Sequence, residues 1–130
     1  TFYNAIANNG RMIMPQLYGD STIAINPQIA SKESIDNLKQ ALLFNITDGL
    51  GKTAYSSKVA IAGIQGTTLL TTNEATTQNE YVAEFYGCFP ADNPKYSIFV
   101  SINKTDLPVS GGLMAGDVFR QIAEYIINLK

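Results

Sequence analysis

The sequence contains no histidine. This absence excludes Ser-His-Asp hydrolysis, Cys-His proteolysis and almost every catalytic zinc site, because all of these depend on an imidazole. The single cysteine, Cys88, excludes an intramolecular disulfide bond and a metal site built from several thiolates. We therefore expect no metal and no cofactor, and we interpret Cys88 as a small buried strand residue.

Charge and long apolar runs are also scarce. Nine Lys and Arg residues against eleven Asp and Glu residues give a net charge of −2, which argues against nucleic-acid binding. No apolar run approaches the length of about 20 residues that a membrane-spanning helix needs. The 45% of hydrophobic residues indicates a folded core, and 130 residues suit a single domain. Because the chain starts with Thr1 inside a predicted helix, we expect a fragment of a longer protein.

Two helices and a small hairpin are predicted in the first part of the chain. The first helix covers residues 1–9 and ends at Asn9-Gly10, where glycine suits a left-handed cap. A weak alternation around Gly19-Asp20 predicts a hairpin over residues 17–25. The stronger helix covers residues 31–47, with Ser31 as its N-cap. Its apolar stripe consists of Ile35, Leu38, Leu42 and Ile46.

Three strands and a final helix are predicted in the second part. The strands cover residues 59–72, 81–89 and 96–103, and a polar segment (73–79) and a tight turn (90–94) connect them. Connections this short indicate antiparallel pairing. Gly111-Gly112 opens the last helix, whose apolar face consists of Ala115, Val118, Phe119, Ile122, Ile126 and Leu129. This order predicts an α+β fold in which helices cover an antiparallel sheet.

The aromatic residues of these strands favour a core over a stacking platform for bases. They are concentrated in the second strand and at the start of the third, where burial is expected. The residues are Tyr81, Phe85, Tyr86, Phe89 and Tyr96.

Two short motifs suggest chemistry that their context does not support. Ser101 and Lys104 match the Ser-x-x-Lys pattern, which needs a helix to bring the amine beside the hydroxyl. On a strand, residues three apart point to opposite faces, so we assign no catalytic role here. Gly51-Lys52-Thr53 resembles the end of a phosphate-binding loop, but Ile46 stands where that loop needs a glycine. The carboxylates are scattered and form no acid/base pair.

Five segments nevertheless follow a recognisable pattern in order along almost the whole chain. Together they resemble the C-terminal part of a penicillin-binding protein transpeptidase domain. The resemblance is to the high-molecular-weight, monofunctional kind used in cell division or elongation. The segments are residues 2–12 (FYNAIANNGRM), 49–54 (GLGKTA), 62–67 (AGIQGT), 85–96 (FYGCFPADNPKY) and 111–123 (GGLMAGDVFRQIA).

The resemblance implies a fold, and it implies which parts of that fold lie in this chain and which lie upstream. The family has a five-stranded antiparallel sheet with helices on both faces, and this chain would supply the last three strands and the C-terminal helix. We therefore expect residues 1–130 to form a single domain that is the C-terminal fragment of a transpeptidase domain. In the family, the nucleophilic Ser-x-x-Lys and the Ser-x-Asn motif lie upstream, so no catalytic residue is assigned here.

The chain departs from the family at its most characteristic strand. Where family members carry Lys-Thr-Gly, this chain has Ile64, Gln65 and Gly66. Ile64 supplies no charge, and Gln65 can donate one amide hydrogen bond. Gly66 and Thr67 keep the backbone beside which a peptide would lie as an added strand. These four residues are the predicted substrate-binding site in degenerate form.

The sequence leaves two hypotheses for the function of the parent protein. In the first, the chain is a piece of a D,D-transpeptidase that cross-links peptidoglycan, in a periplasmic protein anchored by an N-terminal helix outside this chain. In the second, the parent is a non-enzymatic pseudo-transpeptidase that binds peptide stems or cell-wall-synthesis partners. A stem peptide or β-lactam is expected to bind only in the full parent domain. A homodimer is expected through the edge of strand 96–103 or through the last helix, and the alternative is a monomer in which segment 17–25 folds back over that edge.

Overall fold

A computed structural model describes residues 1–19, 21–73 and 78–129. The chain falls into two compact units, Thr1–Ala41 and Leu42–Lys130. The prediction that residues 1–130 form one domain stays a prediction. None of the helices in the described ranges is long and apolar enough to cross a membrane.

The first unit opens with helix α1, Phe2–Ala7. The helix ends two residues before the predicted end at Asn9, but the left-handed backbone expected at Asn9-Gly10 is present, since Asn9 has φ 56° and Gly10 has φ 93°. The Gly10 N–H donates to the carbonyl oxygen of Ala5 at 2.7 Å, which closes the helix.

The hairpin of the first unit differs from the prediction. Its strands are β1 (Met12–Ile13) and β2 (Ala24–Asn26), which pair antiparallel, so the prediction over residues 17–25 is wrong in extent. Leu17 is 94% exposed, and therefore no burial stabilises a strand there. The predicted turn residue Asp20 lies outside the described residues.

Helix α2, Lys32–Thr47, matches the predicted helix. Its N-cap is confirmed, because the Ser31 Oγ accepts a hydrogen bond from the Ser34 N–H at 3.1 Å. The apolar stripe is buried at only two of its positions. Ile35 and Ile46 are each 1% exposed, whereas Leu38 is 42% exposed.

The second unit contains a three-stranded antiparallel sheet in the order β3-β4-β5. The strands are β3 (Ala62–Asn73), β4 (Gln78–Phe89) and β5 (Tyr96–Thr105). Residues 74–77, in the predicted connection, lie outside the described residues.

The strand β3 begins later than residue 59, where the prediction placed its start. The Ser56 Oγ accepts a hydrogen bond from the Lys58 N–H at 3.1 Å. This side chain–backbone bond stabilises a turn and competes with strand pairing, so the chain becomes extended only after it.

The strand register separates two faces of the sheet, because side chains alternate along each strand. One row across the three strands consists of Gln65, Phe85 and Val100. The neighbouring row consists of Ile64, Tyr86 and Phe99. We call the face of the first row the helix face, since Phe85 contacts Phe119 of the last helix. We call the face of the second row the open face, where Phe99 is 59% exposed.

The core of the second unit lies on the helix face. Phe85, Phe89 and Phe119 are each 0% exposed. The ring centroid of Phe119 lies 5.0 Å from that of Phe85 and 5.9 Å from that of Phe89. Aromatic pairs at this spacing add to the free energy gained from burial. The predicted core role is thus confirmed for both β4 phenylalanines, and Cys88 is buried, as predicted.

The last helix starts in a different geometry from the predicted one. A π-helical turn, Gly111–Ala115, precedes the α-helix α3, Gly116–Asn128. A Cβ atom on Gly111 would lie 2.5 Å from the carbonyl oxygen of Glu84, so the turn packs directly on the sheet backbone. The predicted apolar face is buried at Phe119, whereas Val118 is 38% exposed.

The buried aromatic cluster generates a stability prediction. We expect Phe119→Ala to lower the free energy of unfolding by about 3–5 kcal/mol, because it leaves a cavity between Phe85 and Phe89. The neighbouring Val118→Ala is the matched control and should cost less than about 1 kcal/mol. Urea unfolding of the 130-residue chain measures both, and equal losses would contradict the assigned core.

Candidate functional site

The four predicted site residues lie together on β3, at the edge of the sheet. Among the described residues, β3 pairs with β4 alone, so its other edge has no strand partner. In register order, the β4 partners of Ile64, Gln65, Gly66 and Thr67 are Tyr86, Phe85, Glu84 and Ala83. The predicted strand is therefore an open edge on which another extended chain can pair.

The backbone of this edge points outward at alternate residues. The Asn45 Nδ2 donates to the carbonyl oxygen of Gly63 at 2.9 Å, which marks a carbonyl directed away from β4. In an antiparallel pair, outward and inward residues alternate. The N–H and C=O groups of Gln65 and Thr67 therefore also point to the open edge. These are the groups that an added strand would bond.

Asn45 also sets the orientation of the Gln65 side chain. Its Nδ2 donates to the Gln65 Oε1 at 2.8 Å as well as to Gly63. Because the amide oxygen of Gln65 is held as an acceptor, its Nε2 end is left to donate. Sequence reasoning missed Asn45, which carries no signal beyond being a polar residue beside the buried Ile46 in α2.

Thr67 is held from the helix face by the turn before α3. Its Oγ1 accepts a hydrogen bond from the Gly111 N–H at 2.9 Å, which leaves the hydroxyl hydrogen available to donate. A Cβ on Gly112 would lie 3.6 Å from the Gln65 Cγ, so the second glycine backs the same strand. The Thr53 hydroxyl donates to the carbonyl of Gly112 and ties this turn to the segment after α2.

Ile64 lies on the open face and is 36% exposed. Its partner across the ladder is Tyr86. Burial raises the pKa of Tyr86 to about 12, although a hydrogen bond with Ser97 opposes part of this shift. The phenol therefore stays neutral at physiological pH. The position that holds a lysine in the family pattern thus has an apolar side chain and a neutral neighbour.

The Ser101–Lys104 pair does not form a catalytic unit, as the strand periodicity predicted. Ser101 lies opposite Glu84 on the open face, whereas Lys104 lies opposite Tyr81 on the helix face. The Lys104 Nζ donates to the carbonyl oxygen of Asp106 at 3.1 Å instead.

The carboxylates of α3 form ion pairs. Asp117 binds Arg120 at 2.6 Å, and Glu124 binds Lys58 at 3.0 Å. Hydrogen bonding to Arg120 lowers the pKa of Asp117, and hydrogen bonding to Lys58 lowers the pKa of Glu124. Both groups are thus held in the charged form, which does not suit an acid catalyst at neutral pH. Within the described ranges no group of His, Cys, Asp and Glu residues is arranged to hold a metal ion.

Comparisons with known proteins agree with the fold. The sequence profile of the penicillin binding protein transpeptidase domain matches residues 1–124. Probable peptidoglycan D,D-transpeptidase PenA of Neisseria gonorrhoeae is 26% identical over 130 residues, covering 98% of this chain and 22% of that protein. Stage V sporulation protein D of Bacillus subtilis is 24% identical over 96 residues, which is 73% of this chain and 15% of that protein. The chain thus spans less than a quarter of these curated relatives.

Solved structures show the same fold. The transpeptidase domain of FtsI4 D,D-transpeptidase from Legionella pneumophila superposes with a TM-score of 0.74 at 32% identity, covering 98% of this chain and 44% of that one. The transpeptidase domain of penicillin-binding protein 3 from Burkholderia pseudomallei gives a TM-score of 0.77 at 22% identity, covering 98% and 40%. The predicted fold class is confirmed: this chain holds a three-stranded antiparallel portion of that sheet, packed with helices.

The double hydrogen bond of Asn45 generates a prediction about the site. We expect Asn45→Ala to increase the mobility of the Gln65 side-chain amide, as measured by its ¹⁵N relaxation, because Oε1 loses its donor. Loss of the two bonds should also lower the free energy of unfolding by about 1–3 kcal/mol. Asn37→Ala, at an exposed position of the same helix, is the control and should change neither value. An unaltered Gln65 amide in Asn45→Ala would refute this positioning role.

Proposed function

This chain belongs to the penicillin-binding protein transpeptidase domain family, which confirms the resemblance, and on that premise we propose that it is the C-terminal segment of a peptidoglycan D,D-transpeptidase. In this proposal it supplies the edge strand beside which a peptide stem lies during cross-linking. The observation that carries the proposal is the open edge of β3, where Gln65 and Thr67 direct backbone donors and acceptors outward.

When a peptide pairs with β3 as an added strand, each group of this edge has a defined role. The N–H and C=O groups of Gln65 and Thr67 bond the backbone of the peptide, as in other complexes in which a peptide extends a sheet. The oriented Nε2 of Gln65 and the hydroxyl of Thr67 are further donors beside the same edge. The Gly111-Gly112 turn supports the strand from behind, so the edge is held in place before a ligand binds.

The same edge lacks the charge that acyl transfer uses. Ile64 occupies the position of the lysine in the family pattern. Loss of one well-placed donor from an acyl-transfer site costs roughly 3 kcal/mol of transition-state stabilisation. The Ser-x-x-Lys match also forms no catalytic pair, since Ser101 and Lys104 lie on opposite faces. We propose that the 130-residue chain alone is catalytically incomplete.

The replacement of the lysine by Ile64 favours a second candidate function. In it the parent is a pseudo-transpeptidase that binds peptide stems or cell-wall-synthesis partners without reacting. The coding sequence upstream of this chain discriminates the two. An intact Ser-x-x-Lys followed by Ser-x-Asn supports the enzyme, and degenerate versions of both support the binding module.

The proposed location follows from the polymer that would be acted on. Peptidoglycan lies outside the cytoplasmic membrane, and the relatives are named for peptidoglycan D,D-transpeptidation. We propose that the parent works on the periplasmic side of the bacterial inner membrane, anchored by a helix outside this chain. A stem peptide or a β-lactam is the proposed ligand of the full parent domain.

The proposed incompleteness generates a labelling prediction. Incubated with a fluorescent penicillin, the chain should show no covalent adduct on a denaturing gel or by intact mass. Ile64→Lys combined with Gln65→Thr should also stay unlabelled, because catalytic groups act as a unit and the nucleophile is not restored. A stoichiometric adduct on any serine would show that a nucleophile was overlooked.

The proposed homodimer rests on the other edge of the sheet. Among the described residues, β5 pairs with β4 alone, and Phe99 on it is 59% exposed. An unpaired edge with an exposed aromatic residue is a template for a second chain.

This edge generates a self-association prediction. Light scattering over a hundredfold concentration range should show a mass that rises above 14.1 kDa. Phe99→Lys should shift the rise to higher concentration, because a charge on an edge strand opposes pairing. A mass near 14.1 kDa at the highest concentration would overturn the proposed dimer.

A further inference from the structure

The turn after α1 contains a chemically labile pair of residues. Asn9-Gly10 is the one Asn-Gly pair in the sequence. Asparagine is a thermolabile residue, and a following glycine has no side chain to keep its backbone nitrogen away from the asparagine amide. In such a pair that nitrogen attacks the asparagine Cγ and closes a cyclic imide. Asn9 is exposed, so solvent reaches the pair.

The reaction needs only water as a co-reactant. The bond from the Gly10 nitrogen to the Asn9 Cγ forms while the bond from Cγ to the side-chain nitrogen breaks. Ammonia leaves with the proton that the Gly10 nitrogen gives up. Water then opens the imide in one of two ways. Cleavage between Cγ and the Gly10 nitrogen gives aspartate, whereas cleavage of the original peptide bond gives isoaspartate, whose backbone is one methylene longer.

The folded turn holds the Gly10 nitrogen away from the atom that it would attack. Asn9 has φ 56°, in the left-handed region. In that region ψ is about +30 to +60°, which places the following nitrogen on the far side of the Cα–C bond from Cβ. Ring closure therefore requires rotation about this bond. The Gly10 N–H donates to the carbonyl oxygen of Ala5 at 2.7 Å, and the rotation would break this hydrogen bond.

Contacts from the rest of the first unit lock the same turn. The Ile29 N–H donates to the carbonyl oxygen of Gly10 at 2.8 Å. The Gln28 Nε2 donates to the carbonyl oxygen of Asn9 at 3.3 Å, and a Cβ on Gly10 would collide with the Gln28 side chain. The Lys39 Nζ donates to the Asn9 Oδ1 at 2.6 Å. The peptide group between Asn9 and Gly10 is thus held on both sides, and its rotation requires the turn to open.

We propose that Asn9-Gly10 is a latent deamidation site, which the folded first unit protects and which reacts when this turn opens. The isoaspartate product prevents the turn from forming again, because the added methylene separates the Gly10 N–H from the Ala5 carbonyl. The aspartate product is tolerated, since aspartate adopts the left-handed region and Lys39 lies beside it. Opening of the first unit is thereby recorded as an irreversible covalent change.

A comparison of rates tests the protection. The 130-residue chain and a synthetic peptide of residues 7–11 (ANNGR) are incubated in the same neutral buffer. Isoaspartate is measured by enzymatic methylation and located at residue 9 by mass spectrometry. We expect the folded chain to react at least about tenfold more slowly than the peptide, because only the small population with an open turn reacts. In urea the chain should react at the rate of the peptide in urea.

Glutamine variants assign the protection to the lock on the turn. Gln28→Ala should speed deamidation about three- to tenfold, because it removes hydrogen bonds that close the turn. Gln40→Ala, at an exposed position of α2, is the matched control and should leave the rate unchanged. Hydrogen exchange of the Gly10 amide should become faster in Gln28→Ala, whereas the core amide of Phe85 should keep its protection. This second measurement separates local opening from loss of the whole fold.

The modified chains test the consequence. Isoaspartate-containing chain, separated after incubation in urea and refolded, should lose the exchange protection of its Gly10 amide. Asn9→Asp should keep this protection, because its backbone has the ordinary length. Equal rates in the folded chain and the peptide would overturn the protection, and an unchanged rate in Gln28→Ala would overturn the role of Gln28. A protected Gly10 amide in the isoaspartate chain would overturn the claim that this product blocks the turn.

Discussion

The close packing of the Gly111-Gly112 turn on β3 is the constraint on which the site strand depends. A Cβ on Gly111 would lie 2.5 Å from the Glu84 carbonyl oxygen, so glycine alone fits between the turn and the sheet. This approach brings the Gly111 N–H to the Thr67 hydroxyl. It also starts α3 at the place from which Phe119 reaches Phe85. The packing of the core and the position of the site edge therefore depend on the same backbone contact.

The site strand is held from two sides by groups that do not themselves face a ligand. Asn45 binds the backbone of Gly63 and the side chain of Gln65, and the glycine turn binds Thr67. The bonds to the Gln65 and Thr67 side chains each occupy an acceptor and leave a donor available. The result is an edge with a defined set of neutral donors. The backbone of this edge keeps the geometry of the family strand, although Ile64 stands at the position of the family lysine.

Retained geometry and changed charge lead to different functional conclusions. The backbone of β3 still suits an added peptide strand, which supports descent from a transpeptidase. The electrostatics are altered, since Ile64 brings no cation and Glu84 lies uncovered beside Gly66. In the proposed function, this edge binds a peptide through main-chain bonds and neutral donors. The proposed enzyme and the proposed binding module therefore share one surface and differ in what lies upstream.

The sequence by itself determined the element types, the antiparallel order and the location of strand β3, because hydrophobic periodicity, short connections and family motifs are local signals. It failed for the hairpin over residues 17–25, where alternation is weak and Leu17 finds nothing to pack on. It also failed for the π-helical start of the last helix, where Gly111 packs against the backbone of Gly66 and Glu84. Tertiary structure alone decided that Asn45 orients Gln65, eighteen to twenty residues away from its partners on β3. The physical reason is that a hydrogen bond between distant segments produces no periodic pattern in the amino-acid sequence. Burial of one face of a helix or strand does produce such a pattern.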